Sequence, residues 1–331
     1  MKHTRNFKRI LGGVALAAIA ATTTMASDLR LANFLSPNHP YEQPVFKAFA
    51  SRVAELTNNS LSVEVFSGGE LGAGPVEQYN RVVDGVAEFV FTLPGYTASN
   101  FPKTLLMELP GVIDEATGTQ ALWSGIKHIE DEYRRTKLVA IWTNGQNVLY
   151  SKKPINSIED MDGLKVRVPS RNAGALVESW GATAVSMPAP AIFNALQTGV
   201  IDAAFIDSTA TNAFKLIDAA DYITTGMASS ISPFVILMNR DAFEDLSADE
   251  QKAVEQAGRE ISMTANTVQL AGAKAGLEKF AAAKGKQVIT LSAEAAAKFD
   301  ANVGDVVQNI VSALEADKPG AQAFVDALRA N

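Results

Sequence analysis

The sequence predicts an α/β fold of two lobes that share one long helix. Short apolar strands alternate with amphipathic helices from residue 29 to residue 239, a pattern typical of parallel α/β units. A mature chain of about 305 residues is long enough for two lobes. No proline interrupts the helical pattern between Ser247 and Gly285, and these roughly 38 residues would extend about 57 Å at 1.5 Å per residue, further than one lobe.

The first 26 residues have the features of a secretory signal peptide. A basic region with four cations and no acid precedes an apolar stretch from Ile10 to Ala21, and Thr24-Met25-Ala26 fits a cleavage site. The apolar stretch is short for a membrane span, and the chain contains no cysteine that could carry a lipid. We therefore expect a free protein in the periplasm.

The charge balance restricts the partners. The formal net charge is −7, and removal of four cations with the signal gives −7 − 4 = −11. This charge argues against nucleic acid and anionic membrane surfaces as partners, and an anionic ligand needs a local cation to attract it. The absence of cysteine excludes a disulfide framework and thiolate chemistry.

The first lobe is predicted from residues 27–146 and 235–275. Strands are expected at 29–34, 61–66, 85–91, 138–142 and, where the chain returns to this lobe, 234–239. Helices are expected at 44–56 and 123–135. The glycines from Gly68 to Gly74 indicate a loop, and Pro75 begins the next helix.

The second lobe is predicted from residues 147–234 and 276–331. The segment 143–147 leads into it and into a strand at 148–150. Further strands are expected at 164–168, 183–185 and 201–206, and helices at 170–180 and 191–198. The alanine-rich tail, residues 293–331, is predicted to be helical.

The long helix begins at a capping box, Ser247 to Glu250. Its glycines Gly258, Gly272 and Gly276 would allow a bend. The alternative is a pair of helices that break between Gly272 and Gly276.

The segment Gly163–Pro169 contains the first candidate binding residue. It is predicted to form a strand with Arg167 near its carboxyl end, the place where ligands bind in open α/β sheets. A guanidinium group fits a carboxylate with two parallel hydrogen bonds, and the helix that follows adds amide donors. The alternative is a surface arginine on an edge strand.

Catalytic patterns are weak in this sequence. After removal of the signal only His39 and His128 remain, and neither lies in a nucleophile elbow. Two isolated histidines without cysteine do not predict a zinc site, and the glycine loop lacks the ending of a phosphate loop. The nearest approach to a catalytic arrangement is a carboxylate pair such as Asp202 and Asp207, which a strand end and a loop acid explain equally well. We expect no cofactor, no metal and no enzyme, and the alternative is a periplasmic enzyme acting on a small acid.

Motifs along nearly the whole mature chain resemble one family. These motifs are Gly69-Glu70-Leu71-Gly72, Leu109-Pro110-Gly111, Trp142-Thr143-Asn144-Gly145, Lys152-Lys153-Pro154-Ile155, Asp160 to Pro169 and Ala195 to Asp202. The chain resembles the extracytoplasmic solute-binding proteins of tripartite ATP-independent periplasmic (TRAP) transporters, of the dicarboxylate-binding (DctP) type.

The resemblance implies a two-lobed periplasmic binding protein fold that closes on one ligand, with a long helix spanning both lobes. It implies that Arg167 pairs with the ligand carboxylate. It also implies that the closed protein docks on the small and large membrane permease subunits of an ion-driven transporter.

Departures from the family pattern restrict the class of ligand that the protein is expected to bind. Leu93 stands where sialic-acid-binding members have a glutamate, Asn147 where they have a second arginine, and Ile206 where an asparagine is frequent. A polyhydroxylated or second carboxylate group would then lack partners, each costing about 1–3 kcal/mol. We expect a small monocarboxylate with an apolar or lightly polar body. A dicarboxylate is an alternative. An amino-acid-like solute is a second alternative if Asp207 faces the pocket.

The candidate ligand-binding residues are Arg167, Asn147, Gln146, Asn33, Phe34, Leu93, Tyr96, Phe205, Ile206 and Asp207.

Overall fold

The computed structural model describes residues 27–330, so the predicted signal peptide at residues 1–26 lies outside the described residues. The strands are β1 (Ser27–Ala32), β2 (Leu61–Phe66), β3 (Phe89–Thr92), β4 (Thr136–Thr143), β5 (Asn147–Ser151), β6 (Lys165–Val168), β7 (Thr183–Ser186), β8 (Ala203–Asp207), β9 (Tyr222–Thr225), β10 (Pro233–Asn239) and β11 (Gln287–Thr290). The helices are α1 (Ala48–Leu56), α2 (Gln78–Val83), α3 (Gly118–Ser124), α4 (Arg171–Ser179), α5 (Ile192–Thr198), α6 (Ala210–Ala213), α7 (Arg240–Glu244), α8 (Ala248–Ala282), α9 (Ala293–Asp300), α10 (Val303–Asp317) and α11 (Ala321–Arg329).

The strands form two separate sheets, one in each lobe. The first sheet has the order β2-β1-β3-β10-β4, in which β10 is antiparallel to both of its neighbours. The second has the order β11-β9-β5-β8-β6-β7, in which β6 is parallel to β7 and β8. Apolar side chains cover both faces of each sheet. The predicted two-lobed α/β fold is confirmed.

Two short linkers and helix α8 carry the chain between the sheets, and the two linkers lie side by side. The first joins β4 to β5 and the second joins β9 to β10. The Asn144 amide donates to the carbonyl of Ser232 at 3.1 Å, and the Asn147 amide donates to that of Ser230 at 3.0 Å. The Asn144 side-chain oxygen accepts from the Ser232 amide at 2.6 Å. This paired segment lies where a hinge between the lobes is expected.

Helix α8 is continuous over 35 residues, about 52 Å, and contacts both lobes. Its capping box forms as predicted: the Ser247 hydroxyl accepts from the Glu250 amide at 3.3 Å, and the Glu250 carboxylate accepts from the Ser247 amide at 3.0 Å. The alternative of two separate helices is therefore wrong.

Two glycines of α8 allow its backbone to approach each lobe. A Cβ atom at Gly258 would lie 2.0 Å from the carbonyl oxygen of Val139 in β4. A Cβ atom at Gly276 would lie 1.9 Å from the carbonyl oxygen of Ser208, just after β8. Since no side chain fits at either position, these glycines serve close packing rather than a break in the helix.

Several elements differ from the sequence prediction. Strand β3 begins only at Phe89, because residues 85–88 form a turn in which Gly85 has a φ of +69°. The helix predicted at 123–135 is α3 followed by two short 3₁₀ turns. Strands β9 and β11 were not predicted, since each has only four residues and no clear alternation.

The helical tail is divided between the lobes, whereas the sequence placed residues 276–331 in the second lobe. Helix α9 packs on the second lobe, where Phe299 shares a core with Trp180. Helix α11 packs on α3, and its Phe324 and Leu328 lie in the core of the first lobe. Helix α10, which connects α9 to α11, contacts α4 as well.

Candidate ligand-binding site between the lobes

A cavity lies between the two sheets, at the carboxyl ends of β1, β3, β6 and β8. Its volume, taken as the space open to the centres of water molecules, is about 40 Å³. It is lined by Phe34, Leu35, His39, Tyr41, Phe91, Leu93, Tyr96, Asn144, Asn147, Arg167, Pro169, Ala189, Ile206, Asp207, Thr209, Phe214, Ser232, Phe234 and Gln269. Both lobes, both linkers and α8 therefore contribute to one small site.

A larger groove of about 670 Å³ lies on the first lobe. It is lined by charged residues of both signs, including Lys252, Glu255 and Arg259, and it contains no strand end of the second lobe. The cavity between the lobes is the better candidate, because ligands of open α/β sheets bind at the carboxyl ends of strands.

Arg167 is buried at the end of β6, with 1% of its surface exposed. Strand β6 lies between β8 and β7, so the alternative of a surface arginine on an edge strand is wrong. The Arg167 Nε donates to the carbonyl of Met187 at 2.9 Å, and Nη1 donates to that of Phe205 at 3.2 Å. Two backbone carbonyls thus fix the guanidinium group at the cavity.

The Arg167 guanidinium forms no ion pair with any carboxylate of the described residues. Burial lowers the pKa of Arg167, while the Tyr96 hydroxyl and the carboxyl groups of Asp207 and Glu108 act in the opposite direction. An arginine remains protonated in proteins. The cavity wall therefore holds a buried positive charge that no carboxylate of the described residues contacts.

Asp207 is also buried at the cavity, at 3% exposure, but its carboxylate already accepts four hydrogen bonds. Its Oδ1 accepts from the Thr209 amide at 3.0 Å, from the Thr209 hydroxyl at 2.5 Å and from Gln269 Nε2 at 2.9 Å. Its Oδ2 accepts from Asn144 Nδ2 at 3.0 Å. Burial raises the pKa of Asp207, and these donors oppose that rise. The carboxylate thus joins the first linker, β8 and α8.

Asn147 belongs to the same network in the linkers. Its Nδ2 donates to the Ser230 hydroxyl at 2.8 Å, and its Oδ1 accepts from Asn144 Nδ2 at 3.2 Å. Asn147 lines the cavity, and these partners take one of the two Nδ2 hydrogens and one of the two Oδ1 lone pairs.

Aromatic side chains form the first-lobe wall. The ring of Phe34 stacks on Phe91 at 5.5 Å between centroids and meets Tyr96 at 6.1 Å. Phe234 packs on Phe91 at 5.8 Å. Such a wall favours an apolar, planar body in the cavity.

His39 adds a neutral polar group. Its Nδ1 accepts from the Tyr41 amide at 3.1 Å, which places the proton of the neutral ring on Nε2. Burial lowers the pKa of His39 to about 4, so the ring is neutral near pH 7. The ring meets Tyr41 at 5.0 Å and Phe214 at 6.1 Å, and Nε2 has no hydrogen-bond partner within residues 27–330.

Direct contacts join the two lobes beside the cavity. The Ala189 amide of the second lobe donates to the Tyr96 hydroxyl of the first at 3.0 Å. A Cβ atom at Gly95 would lie 2.9 Å from the carbonyl oxygen of Pro169 and 3.0 Å from Ser170 Cβ. The lobes therefore meet without room for a side chain at Gly95, as in a closed conformation.

Seven of the ten predicted residues line the cavity: Phe34, Leu93, Tyr96, Asn147, Arg167, Ile206 and Asp207. Three do not. Asn33 is buried against Ser67, which its Nδ2 contacts at 2.9 Å. Gln146 is exposed on the linker. The ring of Phe205 packs on Trp180 at 5.4 Å, since alternate residues of β8 face opposite sides of the sheet, and only its carbonyl reaches Arg167.

Other cavity residues were missed as candidates. Tyr41 and Phe214 lie in or next to helical turns that carry no binding motif, and Gln269 lies in the middle of α8. In the sequence only their residue types could suggest a binding role, and the same residue types are common in a hydrophobic core.

Comparisons with known proteins identify the family. The profile of bacterial extracellular solute-binding protein family 7, DctP, matches residues 31–313. A solute-binding protein of Albidiferax ferrireducens is 24% identical over 272 residues, which cover 78% of this chain and 79% of that protein. The ectoine/5-hydroxyectoine-binding periplasmic protein UehA of Ruegeria pomeroyi is 25% identical over 282 residues, 78% of this chain and 82% of UehA.

Two solved structures have the same fold. A TRAP solute-binding protein of Rhodoferax ferrireducens, in complex with copurified benzoate, is 27% identical with a TM-score of 0.85, covering 92% of this chain and 97% of that one. A marine metagenome TRAP solute-binding protein specific for aromatic acid ligands, in complex with 3-hydroxybenzoate, is 25% identical with a TM-score of 0.83, covering 92% and 98%. These relatives are transport proteins, not enzymes. The chain belongs to bacterial extracellular solute-binding protein family 7 and is a solute-binding protein of the TRAP type.

Proposed function

We propose that this protein captures a small monocarboxylate with an aromatic or otherwise apolar body and delivers it to the small and large permease subunits of a TRAP transporter. The single observation that carries the proposal is the buried Arg167 guanidinium, which lines the cavity and forms no ion pair with a carboxylate within residues 27–330. A buried charge is costly unless it is paired, so the ligand is expected to supply the missing anion.

The number of cations in the cavity favours one carboxylate over two. Among the described lining residues, Arg167 is the only arginine or lysine. A second carboxylate would meet no cation but only neutral groups: the Asn144 amide nitrogen, which already has two acceptors, the Asn147 amide nitrogen, which already has one, and His39. An unpaired carboxylate in this place would carry a large desolvation cost.

The walls favour an apolar body. Phe34, Leu93, Phe214 and Phe234 line the cavity, so a polyhydroxylated sugar acid would leave several hydroxyl groups without partners. The bound benzoate and 3-hydroxybenzoate of the two structural relatives are ligands of the proposed kind.

His39 can act as a hydrogen-bond donor to one further polar group of the ligand. Its neutral Nε2–H can donate to a hydroxyl or keto oxygen on the ligand body. We therefore propose that the preferred ligands carry at most one such oxygen in addition to the carboxylate.

Asp207 argues against a zwitterionic solute. An ammonium group would have to share this carboxylate with the four donors that already contact it. We propose that Asp207 holds the linkers and α8 together instead of contacting the ligand.

The periplasm is the proposed location, since family 7 proteins are extracellular solute-binding proteins. Residues 1–26 are proposed to act as the export signal and to be removed. Mass spectrometry of the protein from a periplasmic extract tests this, and a mature chain beginning at Ser27 or Asp28 is expected.

A thermal-shift screen of the protein from residue 27 onward tests the ligand class. Benzoate and 3-hydroxybenzoate are compared with benzamide, phthalate, galacturonate and ectoine. A ligand at a hundred times its Kd stabilises by about 2.7 kcal/mol, which corresponds to several degrees. Shifts with benzoate and 3-hydroxybenzoate alone would support the proposal. Shifts confined to phthalate, galacturonate or ectoine would overturn it.

A further inference from the structure

Glu108 is a buried carboxyl group at the contact between the lobes. It ends a 3₁₀ turn, Thr104–Glu108, in the first lobe and is 2% exposed. Its Oε2 accepts a short hydrogen bond from the hydroxyl of Ser170, the N-cap of α4 in the second lobe. Close by, Asn172 Nδ2 of α4 donates to the Leu105 carbonyl at 2.8 Å. The two lobes therefore bury Glu108 between them.

This carboxyl has no cationic partner in contact. Glu108 forms no ion pair within residues 27–330. The Ser170 hydroxyl and, through space, the charge of Arg167 are the groups that favour its ionised form, and Arg171, the next residue of α4, is exposed. Burial outweighs both and raises the pKa of Glu108 to about 8.

Opening of the lobes would change these surroundings. Separation of the turn from α4 removes the Ser170 hydroxyl and admits water to the carboxyl. A hydrated glutamate has a pKa of about 4.3 and is ionised at neutral pH. The open protein therefore holds a glutamate anion where the closed protein favours a neutral acid.

We propose that closure of the lobes on a solute creates a proton-binding site at Glu108, so that capture of the carboxylate is accompanied by uptake of a proton. This inference rests on the proposed function in one respect, namely that a solute carboxylate held by Arg167 drives the closure.

The two bound species favour each other. A carboxylate on Arg167 neutralises the charge that favours ionised Glu108, so it raises the proton affinity of Glu108 further. By linkage, a protonated Glu108 leaves Arg167 free to bind the anion more tightly. Protonation of Glu108 thus removes a negative charge that would otherwise lie near the carboxylate of the solute.

The sign of the pH dependence follows from the raised pKa. The closed state is fully favoured below the pKa of the open protein, and this advantage is lost as the pH rises through the pKa of the closed one. The Kd of the solute should therefore increase by up to about tenfold per pH unit between about pH 6.5 and 7.5. His39 is neutral in the closed protein throughout this interval, because burial lowers its pKa to about 4. Above about pH 6.5 most of a hydrated histidine is neutral as well, so closure changes the protonation of His39 little in this interval.

Isothermal titration with benzoate tests the proposal on the wild type and on Glu108→Gln, a neutral group of the same shape. Titrations at pH 7 in buffers of different ionisation enthalpy count the protons taken up. The wild type should take up nearly one proton per benzoate, and its Kd should rise with pH. Glu108→Gln should take up almost none and show a flat Kd. Equal proton uptake by both proteins would overturn the proposal.

Small-angle scattering of the ligand-free protein tests the proton site at Glu108 independently of the proposed ligand class. If benzoate gives no heat with the wild type at any pH, the proposed ligand is wrong, and scattering decides the proton question. The wild type should be more compact at pH 6 than at pH 9, while Glu108→Gln has the same dimensions at both. Identical wild-type dimensions at the two pH values would then count against the proton site.

Discussion

Arg167 and Asp207 are two buried charges on the same cavity with opposite surroundings. Arg167 lies at the end of β6, is held by two backbone carbonyls and has no ion-pair partner among the described residues. Asp207 lies at the end of β8 and accepts four hydrogen bonds. The comparison teaches that burial at a cavity does not identify a ligand-binding charge; the partners already present decide which charge remains for a ligand.

Replacement of Arg167 should have the largest effect on binding. Arg167→Met should weaken binding of benzoate by about 2–5 kcal/mol, the range for truncation of one side of a buried charge pair. Stability without ligand should change by less than about 1 kcal/mol, because the lost hydrogen bonds are offset by the relief of an unpaired buried charge. Calorimetry and urea unfolding measure the two quantities. Arg171→Met, at an exposed position of α4, is the matched control and should bind normally.

Replacement of Asp207 should have the opposite balance of effects, with a large loss of stability and a smaller loss of benzoate binding. Asp207→Asn places an amide donor against the donors of Thr209, Gln269 or Asn144, and it should lower the free energy of unfolding by about 2–4 kcal/mol. The intrinsic affinity for benzoate should fall less than in Arg167→Met. A stable Asp207→Asn protein that no longer binds benzoate would reverse the roles assigned to the two charges.

A side chain at Gly95 should test whether Arg167 acts only in the closed protein. The position has no left-handed φ, so Gly95→Val is compatible with its backbone, but its Cβ would collide with the Pro169 carbonyl. We expect benzoate to bind about tenfold more weakly or worse, a loss of about 1.4 kcal/mol, with unchanged unfolding. Gly304→Ala, where a Cβ meets nothing within 4 Å, should change neither. Wild-type affinity in Gly95→Val would mean that closure at this contact is not needed.

The smallest effect is expected at His39, a neutral group beside the two charges. His39→Phe keeps the ring but removes the Nε2–H donor. The wild-type preference for 3-hydroxybenzoate over benzoate should fall by about fivefold, corresponding to one hydrogen bond of about 1 kcal/mol. Paired Kd measurements check this, and an unchanged preference would show that His39 does not contact the hydroxyl.

Sequence patterns predicted the lobes, the long helix and the placement of Arg167, because each depends on local periodicity, capping or the end of a strand. They could not predict the engagement of Asp207. Its partners Asn144 and Gln269 are 63 and 62 residues away in the chain, and only the approach of α8 to both lobes brings them together.

Single side chains within correctly predicted strands show the same limit. The segment 201–206 was predicted as a strand, but the side on which Phe205 points depends on the register of β8 between β5 and β6. Similarly, Gly258 and Gly276 read as possible bends in the sequence, and only the neighbouring carbonyl groups explain them.

The most direct test of the central claim is whether Arg167 recognises the negative charge of the ligand. Kd values for benzoate and for its neutral analogue benzamide would be measured with the wild type and with Arg167→Met. The wild type should prefer benzoate by about a hundredfold or more, as expected for a charge-assisted pair in a buried site, and the variant should lose most of this preference. A variant that retains the wild-type preference for benzoate would contradict the assignment of Arg167 as the carboxylate anchor.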